Sequence, residues 1–122
     1  RQVIEAHAKK RGRIWNTLPP RKLWKNIKPT LKAVDRLAAG LGQSVSDIVS
    51  VYRSPAYNAL CRGASRRSYH LANNAIDIKF PVRAYRATKA ARVLRERGVF
   101  RGGVGSYSTF THLDTRGENV DW

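Results

Sequence analysis

Apolar residues along this chain recur in two periods. Leu31, Val34, Leu37, Ala38 and Leu41 follow the 3/4 spacing of one helix face, which predicts an amphipathic helix over 29–41. Gly40 and Gly42 close it. Leu23, Trp24 and Ile27 mark an earlier helical stretch opened by Pro20, with a break near Lys28 because Pro29 does not sit deep in a helix. Ile48–Tyr52 reads as a short strand, Arg53-Ser54-Pro55 as a loop and Ala56–Cys61 as a short helix. Gly63–Arg67 is a polar, basic loop. Ala75-Ile76-Asp77-Ile78-Lys79-Phe80 alternates apolar with polar or small residues, as a half-buried strand does. A further helix is expected over 82–97, with an imperfect apolar side (Val82, Tyr85, Ala90, Val93, Leu94) and Gly98 as its cap. Phe110–Asp114 forms a strand that puts Phe110, His112 and Asp114 on one face, and Val120–Trp122 adds a last short one. The class is α+β, a small antiparallel sheet packed against helices.

The length, 122 residues, suits one modest core. Residues 1–18 read as a basic N-terminal arm or short helix, with His7 on its surface, and 19–122 as a single domain. Trp15 and Trp24 are expected in core or lid packing. No stretch approaches 18 apolar residues, so no membrane span is expected. No leader pattern is visible, and the absence of Met points to a processed or trimmed chain. Cys61 is alone, which excludes an internal disulfide and reads as a small half-buried side chain.

Charge changes the picture. Lys and Arg number 24 against 8 Asp and Glu, a net charge of +16. Such a chain is drawn to polyanions: nucleic acid, anionic cell-wall polymers or anionic membrane surfaces. The aromatics do not interleave with basic residues in any recognisable nucleic-acid module, which argues against the first. Against so basic a background, acids beside histidines stand out, and Asp77 and Asp114 are such acids.

His70, Asp77 and His112 are the candidate metal ligands. Two imidazoles and a carboxylate form a catalytic zinc set that leaves a position for water. On one straight strand, residues 70 and 77 would face opposite ways and stand roughly 20 Å apart. The chain must therefore bend, and Ala72-Asn73-Asn74 is the place, because Asn tolerates left-handed backbone. Amide hydrolysis at such a centre needs a proton acceptor and a cation for a carboxylate or developing oxyanion. Asp114 is the nearest carboxylate by strand geometry, as the base or as the group that orients a ligand histidine. Arg53, at a strand end, offers the planar fork. The glycines of Arg101–Tyr107 mark close backbone approach or bulges.

Ser50-Val51-Tyr52-Arg53-Ser54-Pro55-Ala56-Tyr57-Asn58, Ser68-x-His70, Ala75-Ile76-Asp77, Gly102-Gly103-Val104-Gly105, Phe110–Asp114 and the terminal Trp122 stand in the order of the zinc D-Ala-D-Ala peptidase family. From about Pro19 to Trp122 the chain resembles that family, most closely the branch that includes periplasmic murein endopeptidases. The resemblance implies an α+β core like that of the D-Ala-D-Ala carboxypeptidases and the Hedgehog signalling domain. It implies zinc on His70, Asp77 and His112 and hydrolysis of peptide bonds in peptidoglycan stems or cross-links. Arg53, Ser68 and Tyr107 are then the candidate substrate-binding residues, and peptidoglycan and anionic wall polymers the partners. The expected setting is periplasmic or secreted, or a phage lysis module. Two positions depart from the pattern: Asn73 where many members have Gly, and Thr109 where many carboxypeptidases have an acid. The base then falls to Asp114. The alternatives are an inactive wall-binding module of the same fold and a basic nucleic-acid-binding protein.

Overall fold

The computed structural model describes residues 2–11, 13–61 and 68–122. The expected basic loop Gly63–Arg67 lies outside them. The described chain opens with helix α1 (Gln2–Ala6) and a two-stranded ribbon, β1 (Lys10–Arg11) against β2 (Ile14–Trp15). A 3-10 helix, Arg21–Ile27, runs straight into α2 (Lys28–Leu41). The expected break near Lys28 is thus only a change of pitch, since Ile27 and Lys28 both keep right-handed helical backbone. Pro29 sits in the first turn of α2, where its missing N–H costs nothing. Gly42 ends the helix at φ 64°, and its N–H reaches back to Ala38 and Ala39 carbonyls. Gly40 remains inside the helix.

Five strands form the main sheet: β3 (Asp47–Ser50), β4 (Ala75–Lys79), β5 (Gly103–Ser106), β6 (Thr111–Asp114) and β7 (Val120–Asp121). Their order is β3-β4-β6-β5-β7, antiparallel except for the β5–β7 pair. Helix α3 (Pro55–Leu60) follows β3, and α4 (Ala84–Glu96) joins β4 to β5. The short helix between α3 and β4 is a 3-10 turn, Tyr69–Ala72.

The strand period of two divides the sheet into faces. Ile76, Leu113 and Val104 pair across β4, β6 and β5 and are fully buried. With Ile78, they meet Leu37 and Val34 of α2 and Ala87 and Ala91 of α4 in one core. Each such Leu or Ile contributes about 1.5–3 kcal/mol of burial. The opposite face carries the row Ser50, Asp77, His112 and Gly105, each directly paired with the next. Asp77 indeed points away from the side its isoleucine neighbours fill.

The N-terminal residues join this core. Ala6 is buried in it and Val3 packs on it. Lys9 donates its ammonium to the Ile48 and Val49 carbonyls, and Asn16 bridges Tyr52 O and Ser54 N. His7, expected on the surface, is only 4% exposed. Its Nε2 accepts the Tyr52 N–H at 3.2 Å, a contact no helical period could reveal. Trp15 and Trp24 depart in the other sense: they are 59% and 52% exposed, so neither belongs to the core.

Candidate metal centre

His70 comes from the 3-10 turn. Ser68 starts that turn by accepting the His70 N–H on its Oγ at 3.2 Å. Asn73 ends it in left-handed backbone, φ 57° and ψ 39°, as expected of the bend. The Asn73 side chain donates to Leu23 O at 2.9 Å, and Asn26 donates to Ala72 O at 2.9 Å. Thr30 of α2 bonds Asn74 O and Thr115 Oγ1. The turn is thereby tied to the helical layer and brings His70 over the middle of β4.

There the ligand atoms of His70, Asp77 and His112 lie within 4.8 Å of one another, and all three residues are buried. His70 Nε2 is 3.2 Å from Asp77 Oδ2, and His112 Nδ1 is 2.9 Å from Asp77 Oδ1. The other ring nitrogens have fixed partners. His70 Nδ1 faces the Val51 carbonyl, which only accepts, so it carries the proton there. His112 Nε2 donates to Asp114 Oδ2 at 2.7 Å. Each ring therefore offers its second nitrogen to the cluster. Two such nitrogens converging on an ionised carboxylate repel unless a proton or a metal ion lies between them. This is the donor chemistry of a metal site built from two histidines and one carboxylate, and the residues fit a divalent ion.

Charge around the cluster is balanced by its neighbours. Burial pushes the Asp77 carboxyl up, but His70 and His112 hold it well below the usual carboxylate range. Burial alone would lower the His112 pKa, yet contacts with Asp114 and Asp77 raise it above its ordinary value. Arg53 reaches the rim from the loop after β3. Its Nε donates to Ser50 Oγ (3.0 Å), Nη1 to Asn58 Oδ1 (3.3 Å) and Nη2 to Asp77 Oδ2 (3.2 Å). A bulge between Ile48 and Ser50 brings Ser50 opposite Asp77, within reach of this fork.

Asp114 is buried behind His112, not beside the ligand cluster. Its Oδ1 accepts the Gly103 and Arg116 backbone N–H groups and Arg116 Nε; its Oδ2 accepts His112 Nε2 and Arg116 Nη2. Burial would raise its pKa, but His112, Arg116 and the Gly103 N–H hold it below the carboxylate range. A carboxylate so fully engaged has no lone pair for a substrate proton. Of the two roles expected of it, the contact with His112 has the geometry of the orienting one.

Sequence reasoning did not single out Arg116. Two residues beyond Asp114 on a strand exit, it keeps the same face, and that spacing was the available signal. Its guanidinium lies 4.1 Å from the Tyr69 ring centre and 5.2 Å from that of Trp122. Trp122 stands 4.8 Å, ring to ring, from His112 and donates its indole N–H to Tyr107 Oη. The strand glycines make room for it. A Cβ on Gly105 would lie 2.7 Å from the indole, and one on Gly103 would lie 2.6 Å from Asp114 Oδ2 and 2.8 Å from Trp122. Among the candidate substrate residues, Arg53 touches the cluster. Ser68 spends its hydroxyl on the turn, and Tyr107 supports Trp122 while stacking on Phe110.

His70, Asp77 and His112 thus stand together on the face of an antiparallel strand pair that the helical core leaves open, in an α+β domain. The chain belongs to the Peptidase M15 family, whose profile matches residues 5–114. It is 35% identical over 83 residues, 62% of this chain, to the probable peptidoglycan L,D-endopeptidase MepK of Haemophilus influenzae. The aligned part is 42% of that relative, so the chain spans less than half its length. No solved structure matches the chain.

Proposed function

We propose that the protein is a zinc-dependent peptidase acting on the stem peptides or cross-links of peptidoglycan. The observation that carries this reading is the convergence of His70, Asp77 and His112 within 4.8 Å, with the outward nitrogens of both rings held by fixed acceptors. These three side chains would hold the ion. Zinc, when bound, makes a water acidic enough to attack an amide carbonyl near neutral pH.

The remaining work falls to the chain. Val51 O and Asp114 hold the two rings in the ligating tautomers. Arg53 uses one N–H of each outer nitrogen on Asn58 and Asp77, which leaves one on each for a substrate carbonyl or carboxylate. Trp122, Arg116 and Tyr69 wall one side of His112 and keep bulk water from it. Acting on peptidoglycan supports a periplasmic or extracellular setting. In this reading residues 19–122 carry the peptidase function, while Ala6, Lys9 and Asn16 of the N-terminal segment brace the core, β3 and the loop after it.

The test is digestion of purified sacculi with and without a chelator, followed by mass analysis of the released muropeptides. The reading expects cleaved stem peptides that vanish with chelator and return on adding zinc. His70→Ala should lose both bound metal and turnover. A second reading, a wall-binding module of the same fold without turnover, is favoured by one observation: Asp114, the candidate base, is fully occupied by five donors. Stoichiometric zinc with no muropeptide release would establish it.

A further inference from the structure

The 3-10 helix Arg21–Ile27 carries a surface that the proposed peptidase reaction does not use. From Thr17 to Val34 the chain has Arg21, Lys22, Lys25, Lys28 and Lys32 and no Asp or Glu. A 3-10 helix has three residues per turn, so side chains three apart eclipse, about 6 Å along the axis. Lys22, Lys25 and Lys28 follow that interval from the helix into its C-cap, and all three are exposed. They form a straight ridge of ammonium groups, which the 3.6-residue period of an α-helix would fan around the axis. Trp24 stands beside the ridge, half exposed, its indole N–H bound to Pro19 O at 2.8 Å and the Arg21 guanidinium 5.5 Å from its ring. It gives the ridge an apolar flank.

The position of this surface gives it meaning. Asn26 donates to Ala72 O and Asn73 donates to Leu23 O, so the helix is fastened to the turn that presents His70. Among the described residues, a second basic face, Arg83, Arg86 and Lys89 at the start of α4, belongs to the helical layer behind the sheet. The ridge helix is bonded to the His70 turn, whereas α4 packs on the opposite, core face of the sheet.

We propose that the Lys22–Lys25–Lys28 ridge is a docking surface for the polymeric substrate, a peptidoglycan strand bearing free stem-peptide carboxylates, which it holds beside the His70 turn. This rests on the peptidase reading for its choice of polymer. Charge complementarity argues for the occupant: cations in a row, no acid between them, and a repeating polyanion. A nucleic acid fits less well, because Trp24 is the one aromatic in that segment and its polar edge is already bonded.

The test compares two variants of equal net charge: K22E/K25E/K28E on the ridge and R83E/R86E/K89E on α4. Retention on purified sacculi is measured at low and at high salt, and turnover on a small soluble cross-linked muropeptide. Circular dichroism checks that both variants fold, and K22Q/K25Q/K28Q serves as a milder third. The ridge variant should lose about tenfold or more in sacculus retention at low salt, the Gln variant less, and the α4 variant no more than about twofold. Turnover of the small substrate should be unchanged in all three. Equal loss in both charge-reversed variants would reduce the effect to net charge and overturn the proposal, as would no loss in either. Loss of duplex DNA retention with sacculus retention intact would assign the ridge to nucleic acid instead and also overturn it. If the wild-type protein cleaves nothing, the peptidase reading fails, yet the retention comparison still decides whether the ridge binds wall polymer.

Discussion

Asp114 Oδ2 accepts the His112 Nε2 proton at 2.7 Å, and this one contact points the opposite ring nitrogen at Asp77. Asp114→Asn tests it. The amide must turn its nitrogen either toward His112 Nε2–H or toward the Gly103 and Arg116 donors, so one face meets donor with donor. Metal affinity should fall about 10–100-fold, measured by zinc titration, with turnover falling in parallel at limiting zinc. A general base would behave otherwise: zinc affinity intact and turnover lost even at saturating metal.

Gly105 and Gly40 should respond oppositely to alanine. A Cβ on Gly105 lies 2.7 Å from the Trp122 indole, which is itself packed against His112. The ring must move, and overpacking of this kind costs about 1–3 kcal/mol. Gly40 sits in α2 with nothing within 4 Å of the added Cβ. There alanine should stabilise the helix by about 0.5–1 kcal/mol. Urea midpoints of Gly105→Ala and Gly40→Ala should therefore shift in opposite directions.

Much of this architecture is legible in the chain because the relevant signals are local. The 3/4 stripe of α2 and the alternation of β4 follow from which face is buried. The bend at Asn73 follows from a residue that tolerates left-handed backbone. The trio His70, Asp77 and His112, whose side chains converge here, also stood out in the sequence, because few acids stand near histidines in so basic a chain. What escaped depends on contacts distant in sequence. His7 is buried because its ring meets the Tyr52 N–H, 45 positions away. Asp114 is enclosed partly by the Gly103 N–H, 11 positions away, which no strand alternation points to. Trp15 and Trp24 look like core residues by type, yet size and hydrophobicity do not say which face a connecting segment turns outward.

Strand β7 holds Trp122 against the site, and Arg95 holds β7. This buried arginine donates to Gly102 O at 3.2 Å and Val120 O at 3.1 Å, and pairs with Asp121 at 2.7 Å. Arg95→Met keeps the stem's packing and removes these links. Lost bonds to buried acceptors cost about 1–3 kcal/mol. Trp122 N bonds Val104 O and Ser106 N bonds Trp122 O, so both amides report on the strand. Hydrogen exchange at Ser106 and Trp122 should accelerate far more than at Ile76 in β4. Uniform acceleration would show that Arg95 supports the whole core and not this strand.

His7 should give stability a pH dependence separate from the candidate metal centre. Burial lowers its pKa, the Val3 carbonyl opposes that, and the nearby Lys9 charge adds to the lowering. A histidine whose folded pKa is depressed binds its proton less readily in the native state than in the unfolded chain. Its contribution is therefore level above the unfolded pKa of about 6.5 and falls as the pH drops below it, by at most about 1.4 kcal/mol per pH unit. Gln in its place can keep an acceptor for the Tyr52 N–H without titrating. Urea unfolding of wild type and His7→Gln at pH 7.5 and 5.5, both with chelator, lets the other two histidines cancel. The wild type should lose more stability on acidification than the variant. A smaller loss would mean that the folded protein holds His7 charged, with its ring turned away from the Tyr52 amide.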